Sequence, residues 1–244
     1  MKLVLDGIGH SFLGRTVFED ISFSVGENEV VALVGPSGCG KTTILQIAAG
    51  LIEPMRGRVH CSCRRHATVF QEPRLLPWMT ARDNIAYGLR ASGVDRAVRS
   101  KTAERRGSEV ELSARDLDKY PAELSGGMRQ RAAVARALAV DPDLVFFDEP
   151  FTAADVGLRR ALQDIVITSC AKAGLSALFV THDLWEAARV AHRLIVMDAD
   201  GLIASYAMDG LPGERSERMI FGMVEQWSSD PAFAALFDAE RSAA

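Results

Sequence analysis

The chain has 244 residues, 48% of them hydrophobic and 25% charged, which is enough for a sizeable core and excludes a disordered or fibrous class. A net charge of −4 argues against a dedicated nucleic-acid binder. No apolar run approaches the roughly 18 residues that span a bilayer, and Lys2 and Asp6 bring charge too early for a secretory signal, so a cytosolic location is expected.

Residues 3–25 alternate in hydrophobicity at Leu3, Leu5 and Ile8, then at Val17, Ile21, Phe23 and Val25, and predict antiparallel strands. A continuous apolar strand follows at 29–34 and runs into Gly35-Pro36-Ser37-Gly38-Cys39-Gly40-Lys41-Thr42-Thr43, after which 43–49 is helical in pattern. Each part of that loop has its own job. Gly35, Gly38 and Gly40 let the backbone wrap phosphate oxygens with its N–H groups. The helix opening near Lys41 adds its positive dipole end, Lys41 adds a full charge, and the Thr42 hydroxyl is placed to hold Mg²⁺. The strand before and the helix after distinguish the segment from a plain glycine loop and predict a nucleoside triphosphate site.

Four scattered cysteines, Cys39, Cys61, Cys63 and Cys170, match no disulfide framework, and reduced thiols are expected. His60, Cys61, Cys63 and His66 crowd one segment, yet their spacing matches no common zinc pattern; a short strand followed by a turn at Arg64-Arg65 also accounts for them. From 73 to 139 the pattern turns helical, with periodicity at 81–91 and 128–138 around a highly charged middle at 93–118. Strands at 144–147, 177–180 and 194–197 alternate with helices at 156–173 and 184–190, which implies a parallel sheet with covered faces. The tail from 210 to 244, with Trp227, Phe233 and Phe237, is expected to pack on the body.

Two further segments carry chemistry. The strand at 144–147 ends in Asp148-Glu149, and ligands of parallel sheets collect at the carboxyl ends of strands. Adjacent carboxylates point in different directions, Asp148 toward a metal and Glu149 toward an attacking water as general base; a solvated acidic strand end is the plainer alternative. In Leu124-Ser125-Gly126-Gly127-Met128-Arg129-Gln130-Arg131, Ser125 is a natural N-cap and two glycines clear the helix mouth, which makes a second anion site or simply a capped helix.

These motifs, in this order, resemble the ATP-binding cassette family over about residues 3–213. Residues 124–131 are similar to its signature sequence, Gln71 to the glutamine that links core and helical lobe, and His182 to the switch histidine on the γ-phosphate. Phe12 falls where an aromatic usually stacks on adenine. The resemblance implies an α/β P-loop NTPase of the ABC ATPase type, with a parallel sheet core, an antiparallel β subdomain and an inserted helical subdomain. The expected division is a nucleotide-binding core at 1–72 and 140–213, a helical subdomain at 73–139 and a tail at 214–244.

The cofactors implied are ATP and Mg²⁺. The nucleotide would lie between residues 35–43 of one chain and Ser125, Gly126 and Gly127 of a second, as a head-to-tail homodimer. Glu149 would be the base, Thr42, Gln71 and Asp148 the metal ligands, and Gln71 and His182 further catalytic groups. Asp155 would lie near the loop that crosses to the partner, where Ala154 replaces the family's common Leu. The segment from Gln71 to Trp78 is similar to that of bacterial importers of nitrate, sulfonate, taurine and related solutes. This implies two transmembrane permease partners docking near Leu75, Leu76 and Trp78, indirect service to an extracytoplasmic solute-binding protein, and a peripheral place on the cytoplasmic face of the inner membrane. A DNA-repair or chromosome-type cassette ATPase would need sustained heptads between Gln71 and Ser125, and a GTP switch an Asn-Lys-x-Asp-like segment; neither is present.

Overall fold

The computed structural model describes residues 1–152, 156–198, 201–230 and 233. The chain divides into two compact units, one of Met1–Cys63 with Ile167–Ala244 and one of Arg64–Val166.

In the first unit, β1 (Leu3–Phe12) and β2 (Arg15–Val25) form an antiparallel hairpin in which Phe12 faces Arg15. The two residues between them, Leu13 and Gly14, both have positive φ (48° and 79°), as a two-residue turn needs to match the strand twist. β4 (Arg56–Cys61) pairs antiparallel with the other edge of β1. The alternation in the sequence has a direct cause here, since Leu3, Leu5, Ile8, Ile21 and Val25 are the buried face. A second sheet in this unit has β3 (Val30–Val34) between β7 (Ser176–Val180) and β8 (Arg193–Met197), all parallel, with β9 (Leu202–Ala207) antiparallel on β8. Every residue of β3 and β7 is buried, which is why 30–34 and 177–180 read as unbroken apolar runs.

Among its described residues this unit also holds the helices α1 (Lys41–Ala48), α8 (Leu184–Val190) and α9 (Glu217–Ser229). The last buries Ile220, Val224 and Trp227 on one face, and Trp227 stacks on Phe233 at 6.4 Å. Just before it, the buried Arg215 guanidinium donates to the carbonyls of Ala188, Ala191, Asp209 and Gly210, at 2.7 to 2.8 Å. Four carbonyls satisfy one buried cation and tie the tail to the end of α8. Phe237 lies outside the described residues.

The second unit holds the parallel pair β5 (His66–Val69) and β6 (Leu144–Asp148) and a helical lobe. The lobe comprises α2 (Ala81–Ile85), α3 (Tyr87–Ala91), α4 (Arg96–Glu109), α5 (Ala114–Leu117) and α6 (Gly126–Ala139). Alanine-rich α6 is its centre and packs against α2, α3 and α4. The remaining helix, α7 (Val156–Ala173), contains the boundary between the units.

Two sequence expectations change, and the charged middle of the lobe becomes definite. The helix expected at 81–91 is two short helices that meet at Ala86. The charged middle of the lobe forms helix: Asp95 caps α4, and Gly107 within it is a contact, because a Cβ there would lie 2.7 Å from Leu117 of α5. The reduced thiols expected at 61 and 63 are instead a Cys61–Cys63 disulfide. The chain turns after β4, which brings these two Cα atoms to 5.4 Å, within bridging range, so no long-range framework was required. With both sulfurs bonded to each other, neither is a thiolate ligand, and among the described residues no group of three or more His, Cys, Asp or Glu could hold a metal.

Candidate functional site

The loop from Gly35 to Gly40 leaves the carboxyl end of β3 and enters α1, with Gly40 in the N-cap position at φ 99°. Its glycines are needed for different reasons. Gly35 is set by close approach: a Cβ there would lie 2.2 Å from the Met197 carbonyl oxygen at the end of β8. Gly38 has open space around it and is set by its φ of 82°. Gly40 needs both freedoms, since a Cβ would also strike Val17 and Phe18 of β2 at 2.8 Å.

Lys41 is buried, and its ammonium donates to the Gly35 and Pro36 carbonyls at 2.7 and 2.8 Å. The loop therefore holds a cation at its centre while Ser37, Gly38 and Thr42 are exposed and Thr43 is half-buried. Burial pushes the Cys39 thiol up from its ordinary value and Lys41 only partly opposes this, so the thiol stays protonated and adds no negative charge where an anion would sit.

Two other residues in this unit lie near the loop by strand register. Phe12, half exposed, ends the β1 strand of the hairpin whose Val17 and Phe18 pack on Gly40, and the His10 ring meets it edge-on at 4.6 Å. His182 follows β7, where Val180 pairs with Leu33 and the Thr181 N–H donates to the Leu33 carbonyl at 3.3 Å. That pairing places His182 beside the strand end from which Gly35 departs.

The second unit collects the remaining candidates. Val69 pairs with Phe147, so Gln71 and Asp148-Glu149 leave the same edge of adjacent parallel strands. Asp148 is buried and Glu149 half-buried. Glu149 has a φ of 44°, a left-handed conformation that costs a non-glycine residue about 1–3 kcal/mol and clusters at functional sites. The Thr152 hydroxyl lies within hydrogen-bond distance of both its carbonyl and its carboxylate, at 3.2 and 3.3 Å.

Ser125 caps α6 by accepting the Met128 N–H, with Ser125 and Gly126 exposed at the helix mouth. Ala154 and Asp155 lie outside the described residues. Of the apolar segment after Gln71, only Trp78 is strongly exposed, at 69%; Leu75 and Leu76 are half-buried, which corrects the sequence reading. The reason is the buried Asn84. Its side chain accepts the Leu76 N–H and donates to the carbonyls of Leu76, Met79 and Thr80, folding the segment onto α2.

Sequence reasoning missed two polar side chains that organise this unit. Gln130, buried in α6, donates to the Pro150 carbonyl at 2.7 Å, one residue past Glu149. Arg136, two turns further along, donates to the carbonyls of Pro73 and Arg74, both at 2.8 Å. One helix thus presents a capped mouth, holds the loop after the acidic strand and holds the segment leading to Trp78. A polar residue on an alanine-rich helix hints at such a tie, but only the fold reveals its partner.

The ABC transporter family model matches residues 18–152, more than half of the chain. The aliphatic sulfonates import ATP-binding protein SsuB 1 of Pseudomonas savastanoi pv. phaseolicola is 42% identical over 209 residues, covering 85% of this chain and 86% of its own. The taurine import ATP-binding protein TauB of Escherichia coli O157:H7 is 34% identical over 231 residues, covering 91% and 89%. Among solved structures, a dimeric post-hydrolysis ATP-binding cassette bound to ADP and Pi superposes with a TM-score of 0.79 at 26% identity, covering 86% of this chain and all of the other. With a phosphate loop whose glycines are each fixed by contact or φ, and with relatives matched over most of their length, this chain belongs to the ABC transporter family.

Proposed function

We infer that this chain is the ATP-binding and ATP-hydrolysing subunit of a membrane transporter, and that the transporter imports a small solute of the sulfonate or taurine kind. The observation that carries the reading is the loop between β3 and α1, where three glycines open the backbone around a buried ammonium at a helix mouth. ATP phosphates fit that cradle: the loop N–H groups and Lys41 stabilise negative charge on the outer phosphates. Phe12 stacks on the base. Thr42, Gln71 and Asp148 are oxygen donors suited to Mg²⁺, which supplies charge neutralisation at the phosphates. Glu149 takes the proton of the attacking water, and His182 contacts the γ-phosphate.

The nucleotide is completed by Ser125, Gly126 and Gly127 of a second copy, so hydrolysis belongs to a homodimer. Support for this comes from the exposed mouth of α6 and from the dimeric cassettes among similar structures. Two permease subunits dock near Trp78 and receive substrate from an extracytoplasmic binding protein, with this subunit peripheral on the cytoplasmic face of the inner membrane. Among the described residues no helix is long and apolar enough to cross a membrane.

The test combines two variants. Glu149→Gln removes the base and leaves binding intact, so ATP with Mg²⁺ holds two chains together and the protein elutes as a dimer. Adding Ser125→Arg blocks the helix mouth, and the double variant binds ATP as a monomer. A dimer that survives Ser125→Arg refutes the role of residues 124–128 in trans.

A further inference from the structure

The backbone on both sides of His182 is held in a closed ring of hydrogen bonds. The Thr181 hydroxyl donates to Glu186 Oε2 at 2.8 Å, and the Thr181 hydroxyl oxygen accepts the Asp183 N–H at 3.0 Å. The Asp183 carboxylate in turn accepts the N–H groups of Trp185 at 2.8 Å and Glu186 at 3.3 Å. Thr181 to Glu186, Glu186 to Asp183 and Asp183 to Thr181 therefore close on themselves, and His182 sits inside the loop they define. The Thr181 N–H adds an anchor to the end of β3.

Burial makes this arrangement informative. Glu186 is 5% exposed and Thr181 1%, while His182 between them is exposed. A carboxylate taken out of water is costly unless its hydrogen bonds repay it, and a hydroxyl has one proton to give. Glu186 accepts the hydrogen bond made with that proton, which leaves the Thr181 lone pairs for the Asp183 N–H. Replace the acceptor and the hydroxyl becomes a buried donor free to rotate, so the Asp183 N–H loses a fixed partner.

We propose that Glu186 is a positioning residue for His182, acting through the Thr181 hydroxyl to fix the backbone from which the exposed imidazole meets the γ-phosphate of bound ATP. This rests on the reading of His182 given above. Glu186 is buried, and in this role its effect is on the orientation of another group rather than on nucleotide affinity.

Two substitution pairs test it, each with a conservative partner: Glu186→Leu against Glu186→Gln, and Thr181→Val against Thr181→Ser. The Leu and Val variants break the ring at nearly constant volume, whereas Gln can still accept and Ser can still donate. Steady-state ATP hydrolysis is measured for all four in the full chain, together with the imidazole NMR line of His182, assigned by its loss in His182→Ala. In the Leu and Val variants kcat falls at least tenfold, KM for ATP stays within about twofold, and the His182 line shifts or broadens while the His192 line does not. The Gln and Ser variants recover most of the rate and the parent line.

If Glu186→Leu fails to fold, Thr181→Val decides alone. Parent kcat in the Leu or Val variant overturns the proposal, as does equal loss in the conservative partners or an unmoved His182 line. If His182→Ala itself hydrolyses ATP at the parent rate, the reading of His182 fails instead, and the two failures are told apart.

Discussion

Replacing Gly35 by alanine is the substitution for which the structure gives the sharpest number. The added Cβ would lie 2.2 Å from the Met197 carbonyl oxygen and 3.0 Å from Cys39 Sγ, whereas ordinary contact starts near 3.4 Å. The obstacle is backbone at the end of a buried parallel strand, so no side chain can swing away, and either β8 or the loop must move by about 1 Å. Overpacking of this kind costs about 1–3 kcal/mol, and the rigid obstacle puts Gly35→Ala at the upper end. For a chain of this size that is a fall in melting temperature of roughly 6–12 °C. Because the loop is the softer partner, its N–H groups are displaced and ATP binding weakens at least tenfold.

The control is Gly93→Ala, at a φ of 72° with nothing within 4 Å of the added carbon. It carries only the left-handed penalty of about 1–2 kcal/mol and leaves ATP binding unchanged. Thermal melts and equilibrium ATP titration of both variants check the comparison. A Gly35→Ala protein that melts with the parent and binds ATP with parent affinity refutes the close-approach argument.

Lys41→Ala removes the ammonium at the centre of the loop, a charge-assisted contact of about 1.5–3 kcal/mol, so nucleotide affinity falls about ten- to a hundredfold and steady-state hydrolysis is abolished. Trp78→Ser changes an exposed side chain, so it uncouples solute uptake by the reconstituted transporter while hydrolysis and melting temperature of the isolated subunit stay near parent values. Loss of both activities together would instead give Trp78 a packing role. His192 Nδ1 accepts the Val30 N–H at 3.0 Å, and burial, with Arg215 adding to it, holds its pKa below the ordinary 6.5. The folded state thus prefers neutral imidazole: its contribution to stability is complete above pH 6.5 and is lost as pH falls through that value toward the depressed one. Urea midpoints near pH 7.5 and 5.5 should differ less in His192→Asn than in the parent.

Much of this protein was legible in sequence because its chemistry is local. The phosphate loop is nine consecutive residues between a strand and a helix, and the spacing of Gly35, Gly38 and Gly40 encodes their environment before any contact is known. The same holds for Ser125, whose capping bond spans three residues, and for 30–34 and 177–180, whose burial on both faces forces unbroken apolar runs. What only the tertiary structure decided depends on partners far along the chain or on burial.

The place of Gly107 in α4 is explained only by Leu117 packed against it, and Leu75 and Leu76 read as exposed until Asn84 folds their segment down. The carbonyls that Gln130 and Arg136 hold lie 20 and more than 60 residues away, and no periodicity announces such a bond. Cys61 and Cys63 read as reduced thiols in the sequence, and only the structure joins them, at a Cα separation of 5.4 Å. Composition, spacing and strand patterning determined that this chain binds phosphate and in which fold class. Which buried polar groups hold the functional residues in place was set by packing, because a side chain's hydrogen-bond partner is fixed only once water has been excluded around both.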